Sequence, residues 1–156
     1  METMPNESKV FQVAEIELVY NTGVKASQRP KISRAEDAYD VLIRNWNMNK
    51  IDLVEEFKIM LLNHGGRVLG ITTISSGGLT GTIADVRLIF AAALKGSATG
   101  IILAHNHPSG QLTASQPDKL ITSQIVEAGK MLNIEVLDHL IITFEGFLSF
   151  SDEGLL

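Results

Sequence analysis

The chain contains no cysteine among its 156 residues. That absence excludes disulfide frameworks, thiolate zinc sites, iron–sulfur clusters and thiol nucleophiles. It also excludes the zinc deaminases, whose PCxxC element needs thiolates, and it fits a reducing cytosol. A basic excess is missing as well: 13 Lys and Arg stand against 18 Asp and Glu, a formal charge of -5. Proteins whose main business is gripping nucleic acid usually show the opposite balance. No apolar run approaches the roughly 18 residues of a membrane-spanning helix, and the opening METMPNESK lacks the basic-then-apolar order of a secretory signal. What remains, 45% hydrophobic and 20% charged residues, is a globular balance. A chain of this length can bury about 70% of its unfolded surface without a staple. The expectation is a soluble, cytoplasmic, single-domain protein with no membrane partner.

Along the chain, the first nine residues are polar and read as frayed. Over 10–20, Val13, Ile16 and Leu18 roughly alternate with Glu15 and Glu17, which predicts a strand. A loop follows to Pro30, so 1–29 reads as an N-terminal strand and linker and 30–156 as the domain proper. Lys25, Arg29, Lys31 and Arg34 cluster here, as a solvated linker or a phosphate-binding patch. Ser33-Arg34-Ala35-Glu36 has the form of a capping box before a helix over about 34–47. Residues 55–62 and 67–75 then read as a hairpin around Asn63-His64-Gly65-Gly66. Gly77, Gly78 and Gly81 mark a flexible loop. Val86, Ile89, Phe90 and Ala93 stripe a second helix that Gly96 can end in a left-handed conformation. The continuous apolar run 100–105 predicts a buried strand. Ile121, Ile125, Ala128 and Leu132 define a third helix capped by Asn133, and a hairpin across Glu145-Gly146 closes the chain. The order predicts an α/β or α+β fold, one mixed sheet flanked by about three helices.

The segment that stands out is His105-Asn106-His107-Pro108-Ser109-Gly110, followed by Ser115-Gln116-Pro117-Asp118. Residues i and i+2 of a strand point to one side, so His105 and His107 can aim two imidazoles at one point. Asp118 falls in the first turn of the next helix, where the dipole favours a carboxylate. Two histidines and a carboxylate make a three-ligand set for zinc with the fourth position open. The plainer alternative is that the histidines bond the loop backbone and that Ser115 starts the helix as its cap. Asn106 faces away from such a centre and reads as a pin for the loop. His64 reads as an exposed turn residue. His139 reads as a satisfied core or edge histidine, with orientation of a metal ligand as the other reading.

His105-x-His107, seven residues, then Ser115-x-x-Asp118 resembles the JAMM motif of the JAB/MPN metalloprotease superfamily. LAHNHPSG, the later VLDH and the closing FLSFSDEGLL resemble the RadC family in particular, over about 30–156. Gln111 and Pro117 stand where acidic residues are common in that family, at positions that are not ligands. The helix-hairpin-helix segment of longer RadC proteins has no counterpart in 1–29. The resemblance implies a mixed, strongly curved sheet with one Zn2+ per chain at its edge, held by His105, His107 and Asp118. It also implies a glutamate acting as general base beside the activated water, and Ser115 as donor to the developing oxyanion. The family pattern selects Glu55 for the base, with Glu56, directed to solvent, as the reserve.

The reading that follows is a zinc-dependent metallohydrolase cleaving peptide or isopeptide bonds of a protein or peptide substrate. A DNA-repair-associated role would rest on the basic cluster alone, against the net charge. A non-catalytic MPN binding module fits poorly with a complete ligand set. The letters His105-Asn106-His107 spell HNH, but the nuclease of that name uses scattered residues in a ββα unit.

Overall fold

The computed structural model describes residues 11–77 and 84–156; the predicted frayed start and the glycines at 78 and 81 lie outside them. After a short 3-10 turn at Ala26–Gln28, the order is α1 (Ala35–Arg44), β1 (Glu56–Leu62), β2 (Val68–Ser76), α2 (Val86–Lys95), β3 (Gly100–Asn106), α3 (Gln116–Leu132), β4 (Glu135–Ile142) and β5 (Phe147–Ser149). The strands form one mixed sheet in the order β2-β1-β3-β4-β5. β3 and β4 run parallel and every other neighbouring pair is antiparallel. α3 is the crossover that a parallel pair requires. Register shifts interrupt β1 against β2 at Phe57/Lys58 and Leu61/Leu62, and β3 against β4 at Ile101/Ile102. Irregularities of this kind bend a strand and sharpen its twist.

All seven residues of β1 and all seven of β3 are buried. A central strand covered on both faces favours apolar residues at successive positions, which is why β3 reads as a continuous run, while β1 also buries Glu56 and Lys58 near its start. On one face, Phe57, Ile59, Leu61, Ile101 and Leu103 pack with Ile89, Phe90 and Ala93 of α2 and Ile125 of α3. On the other, Met60, Leu62, Ile102, Ala104, Leu140 and Ile142 pack with Ala38 and Leu42 of α1 and with Trp46. Alternation along β3 therefore assigns His105 to the α2/α3 face and Asn106 to the α1 face.

Several local expectations are corrected. No strand forms over 11–20: Phe11 is 83% exposed, Val13 90% and Ile16 86%, and an alternating pattern gives a strand only where a partner edge and a core receive it. α1 begins one residue later than the predicted box, with Arg34 at the cap, because the Asp37 carboxylate rather than Glu36 accepts the N–H groups of Ser33 and Arg34 at 2.9 and 3.0 Å. Gly96 is not left-handed (φ -79°); Ser97 takes that conformation at φ 55°. What Gly96 supplies is space, since a Cβ there would lie 2.6 Å from Leu61 Cδ1. Asn133 does cap α3 in the left-handed region, at φ 55°.

Candidate metal centre

β3 carries His105 to the end of the sheet between Phe57 of β1 and Ile141 of β4. Its ring lies parallel to Phe57, centroids 6.1 Å apart. His107 follows one step beyond the strand, tied down by its N–H to Ile142 O at 3.1 Å. The chain then turns through Gly110 at φ 81°, a conformation that favours glycine. That turn brings Gln111 O to 2.8 Å from His107 Nδ1. Only the backbone of Gln111 is used, so its departure from the family's acidic preference costs this bond nothing.

Asp118 reaches the same point from the first turn of α3. Ser115 is the cap: its Oγ accepts from Asp118 N–H at 3.1 Å, while its own N–H donates to Asp118 Oδ2 at 2.9 Å. Asp118 Oδ1 then faces His105 Nε2 at 3.3 Å, and Oδ2 faces His107 Nε2 at 3.5 Å. The two Nε2 atoms stand 2.9 Å apart. Ligand atoms of all three residues lie within 4.8 Å of one another, the group among the described residues able to hold a metal ion.

The charges match this arrangement. Asp118 raises the His107 imidazole above its ordinary 6.5 by hydrogen bonding, against the opposing effect of burial. Burial pushes Asp118 upward, but the facing His105 and His107 rings outweigh it and hold the carboxyl well below the usual carboxylate range. A divalent cation fits these residues on one observation. His107 Nδ1 faces a carbonyl, which only accepts, so Nδ1 carries the hydrogen and the neutral ring leaves Nε2 bare. A bare nitrogen 2.9 Å from a second imidazole nitrogen and beside a carboxylate needs a cation or a proton between them.

Glu55 sits just before β1 and lines a cleft of about 180 Å³ with Phe57, Ala84, His105, Pro117, Asp118 and Ile121. Its backbone is gripped on both sides: Gly77 N–H donates to Glu55 O at 2.8 Å, and the next N–H, of Glu56, donates to Asn106 Oδ1 at 2.7 Å. Asn106 Nδ2 also donates to Ile51 O at 2.7 Å and Val54 O at 2.8 Å. The pin read from the sequence is thus a fully buried one. Glu56 does not point to solvent. It is 7% exposed on the α1 face, 3.9 Å from Lys58, whose ammonium also bonds Thr73 and lies over Trp46. Lys58 and the α1 packing keep Glu56 away from the cleft.

Ser115 is exposed and is not among the residues lining the cleft. Its cap bond uses an oxygen lone pair and leaves the hydroxyl hydrogen as a donor. His64 is exposed in its turn. Within the basic cluster, Lys31 Nζ donates to Gly65 O, and Arg34 lies 3.9 Å from both Glu36 and Asp37.

Sequence reasoning missed Thr122 behind the centre; His139, read as a core or edge histidine with ligand orientation as the other reading, stands beside it. His139 is fully buried, its Nε2 2.7 Å from His105 Nδ1 and its Nδ1 2.6 Å from Thr122 Oγ1. Burial holds His139 well below the ordinary histidine value. Thr122 stands one helical turn after Asp118, and that i, i+4 spacing was the available signal.

A mixed sheet with a parallel crossover and a His/His/Asp cluster at the C-terminal end of its central strand fits a JAB-type domain, and the cluster lies there rather than at the sheet's edge. The family model described as the RadC-like JAB domain matches residues 32–155, and the chain belongs to that family. It is 52% identical over 101 residues to a UPF0758 protein of Flavobacterium johnsoniae, covering 65% of this chain and 44% of that one. It is 44% identical over 103 residues to a UPF0758 protein of Symbiobacterium thermophilum, covering 66% and 44%. A UPF0758 protein of Rubrobacter xylanophilus is 39% identical over 145 residues, 92% of this chain and 62% of its own length. The matched segments thus span about half the length of these relatives.

Proposed function

We propose that this domain is a metal-dependent hydrolase of peptide or isopeptide bonds acting on a protein or peptide in the cytosol. The observation that carries the reading is the convergence of His105, His107 and Asp118 at a cleft that His105 and Asp118 line together with a single glutamate, Glu55. Zinc suits a donor set of two imidazole nitrogens and one carboxylate oxygen with no thiolate. When bound, such a cation polarises a carbonyl and brings the pKa of a water toward about 7.

The chain's own residues do the rest. His105, His107 and Asp118 fix the position of attack at the C-terminal end of β3. Phe57, Ala84 and Ile121 give the cleft apolar walls that limit bulk water. Glu55 takes a proton from the attacking water and delivers it to the departing nitrogen. Ser115 directs its free hydroxyl hydrogen at the oxygen on which negative charge develops. The test is metal content by mass spectrometry together with hydrolysis of peptide and isopeptide libraries. Expected are one zinc per chain, none in His107→Ala, and full metal but no hydrolysis in Glu55→Gln. A protein that takes up no zinc, or a Glu55→Gln variant as active as the parent, overturns the reading.

A further inference from the structure

The contacts behind His105 have a direction that follows from donor and acceptor chemistry alone. Thr122 has one hydroxyl hydrogen, and it is committed to Asp118 O at 2.6 Å, because a carbonyl can only accept. Toward His139 Nδ1, 2.6 Å away, the Thr122 oxygen can therefore only accept, so Nδ1 carries the hydrogen. His139 is 0% exposed, edged by Phe57 and stacked on Phe150 at 4.6 Å, with no carboxylate among these contacts. A ring so enclosed is neutral, which leaves its Nε2 bare. His105 Nδ1, 2.7 Å from that bare nitrogen, must then donate, and the neutral His105 ring keeps its lone pair on Nε2, the atom facing Asp118.

We infer that Thr122 and His139 are positioning residues that hold His105 in the one tautomer able to ligate a metal. The chain of contacts begins at the backbone carbonyl of Asp118, so one member of the cluster sets the protonation pattern of another. It also fixes the ring plane of His105, which Phe57 supports from the side. An imidazole ligand oriented through its second nitrogen commonly gains about 10- to 100-fold in metal affinity from that partner. The inference rests on the metal-site reading for its purpose, but not for its geometry.

The experiment therefore has a metal-free arm and a metal arm. Nitrogen-15 NMR of zinc-free protein at alkaline pH reads which His105 nitrogen is bare. The parent should show Nδ1–H and bare Nε2. Thr122→Val, which deletes the hydroxyl without changing shape, should shift His105 toward the Nε2–H form. His139→Leu should do the same, and His139→Gln, which restores an acceptor oxygen, should return the parent pattern. In the metal arm, competition titration with zinc should show affinity reduced about 10- to 100-fold in Thr122→Val and His139→Leu and largely recovered in His139→Gln. Phe150→Leu loosens the same packing without touching the hydrogen bonds, and should lower thermal stability while leaving tautomer and affinity unchanged. An Nε2–H His105 in the parent, or unaltered zinc affinity in both Thr122→Val and His139→Leu, overturns the inference. A parent protein that binds no zinc overturns the metal-site reading instead, and the tautomer measurement still decides the inference.

Discussion

Asn106 Oδ1 accepts the backbone N–H of Glu56 at 2.7 Å, which joins the residue between the two histidines of the candidate metal centre to the residue after the candidate base. With its two further bonds to Ile51 O and Val54 O, this side chain fastens the approach to β1 onto the end of β3. Glu55 and His105 consequently hold their places relative to each other through one fully buried amide.

Replacing Asn106 by Ala should be costly for stability. Two carbonyls and one N–H lose their partner in a buried setting, at roughly 1 kcal/mol or more each, so a loss of about 3 kcal/mol is expected. Equilibrium urea unfolding of parent and variant measures it. Below the unfolding transition, the variant should keep its zinc and lose hydrolysis, since the three ligands do not depend on the loop that carries Glu55. A variant as stable as the parent would mean that the three bonds are replaced by water.

Glu55 and Glu56 are neighbours in sequence with opposite surroundings, and their variants should separate cleanly. Glu55→Gln should retain zinc and lose about 100-fold or more in turnover, the range for removal of a general base. Glu56→Gln should leave turnover within a few-fold, because Glu56 lies buried beside Lys58 on the α1 face. Steady-state kinetics on a common peptide substrate decides it; equal losses in both would place the base elsewhere.

Much of this was legible in the sequence, and the failures have a common cause. β3 read as a continuous apolar run because both of its faces are covered, β1 read as one strand of a hairpin, and α1 to α3 read through their apolar stripes. His105, His107 and Asp118 were legible because strand alternation and a helix start place them by local rules. The burial of Glu56 and the contact between His139 and His105 are set by non-local pairing. Parallel register places His139 beside Leu103 and Ile141 beside His105, and no local spacing specifies that register. The stretch 11–20 fails the other way: its alternation is genuine, but the described residues offer it no strand partner. Tyr20 is tied to the sheet, its hydroxyl donating to Leu69 O at 2.5 Å.

The stabilising effect of zinc should grow with pH. Asp118 raises His107 above 6.5, and a proton on Nε2 competes with the metal for the same lone pair. Zinc affinity should therefore fall as pH drops through that raised value. In the zinc-free protein the sign is reversed. A raised folded-state pKa contributes stability that is complete below 6.5 and lost as pH climbs through the folded value. The gain in Tm on adding zinc should thus be larger near about pH 8 than near about pH 6. Differential scanning calorimetry with and without zinc tests this, and a gain independent of pH would remove His107 from the ligand set.

Ser115 caps α3, and the proposed mechanism adds an oxyanion-donor role that Ser115→Ala alone cannot separate from the cap. Its oxygen caps α3 through Asp118 N–H, and the reciprocal bond from its N–H orients the Asp118 carboxylate. Ser115→Ala removes the cap, at a cost of about 1 kcal/mol, together with the hydroxyl donor. Ser115→Asp keeps an acceptor at the cap and removes the donor. If the hydroxyl stabilises a developing oxyanion, both variants should lose about 100-fold or more in turnover, as expected when one such donor is deleted, while only Ser115→Ala loses stability. Ser115→Thr, which retains both functions, should recover most of the activity. Should Ser115→Asp hydrolyse substrate as fast as the parent, the residue is a helix cap and nothing more, and its place in the motif follows from the need to aim Asp118.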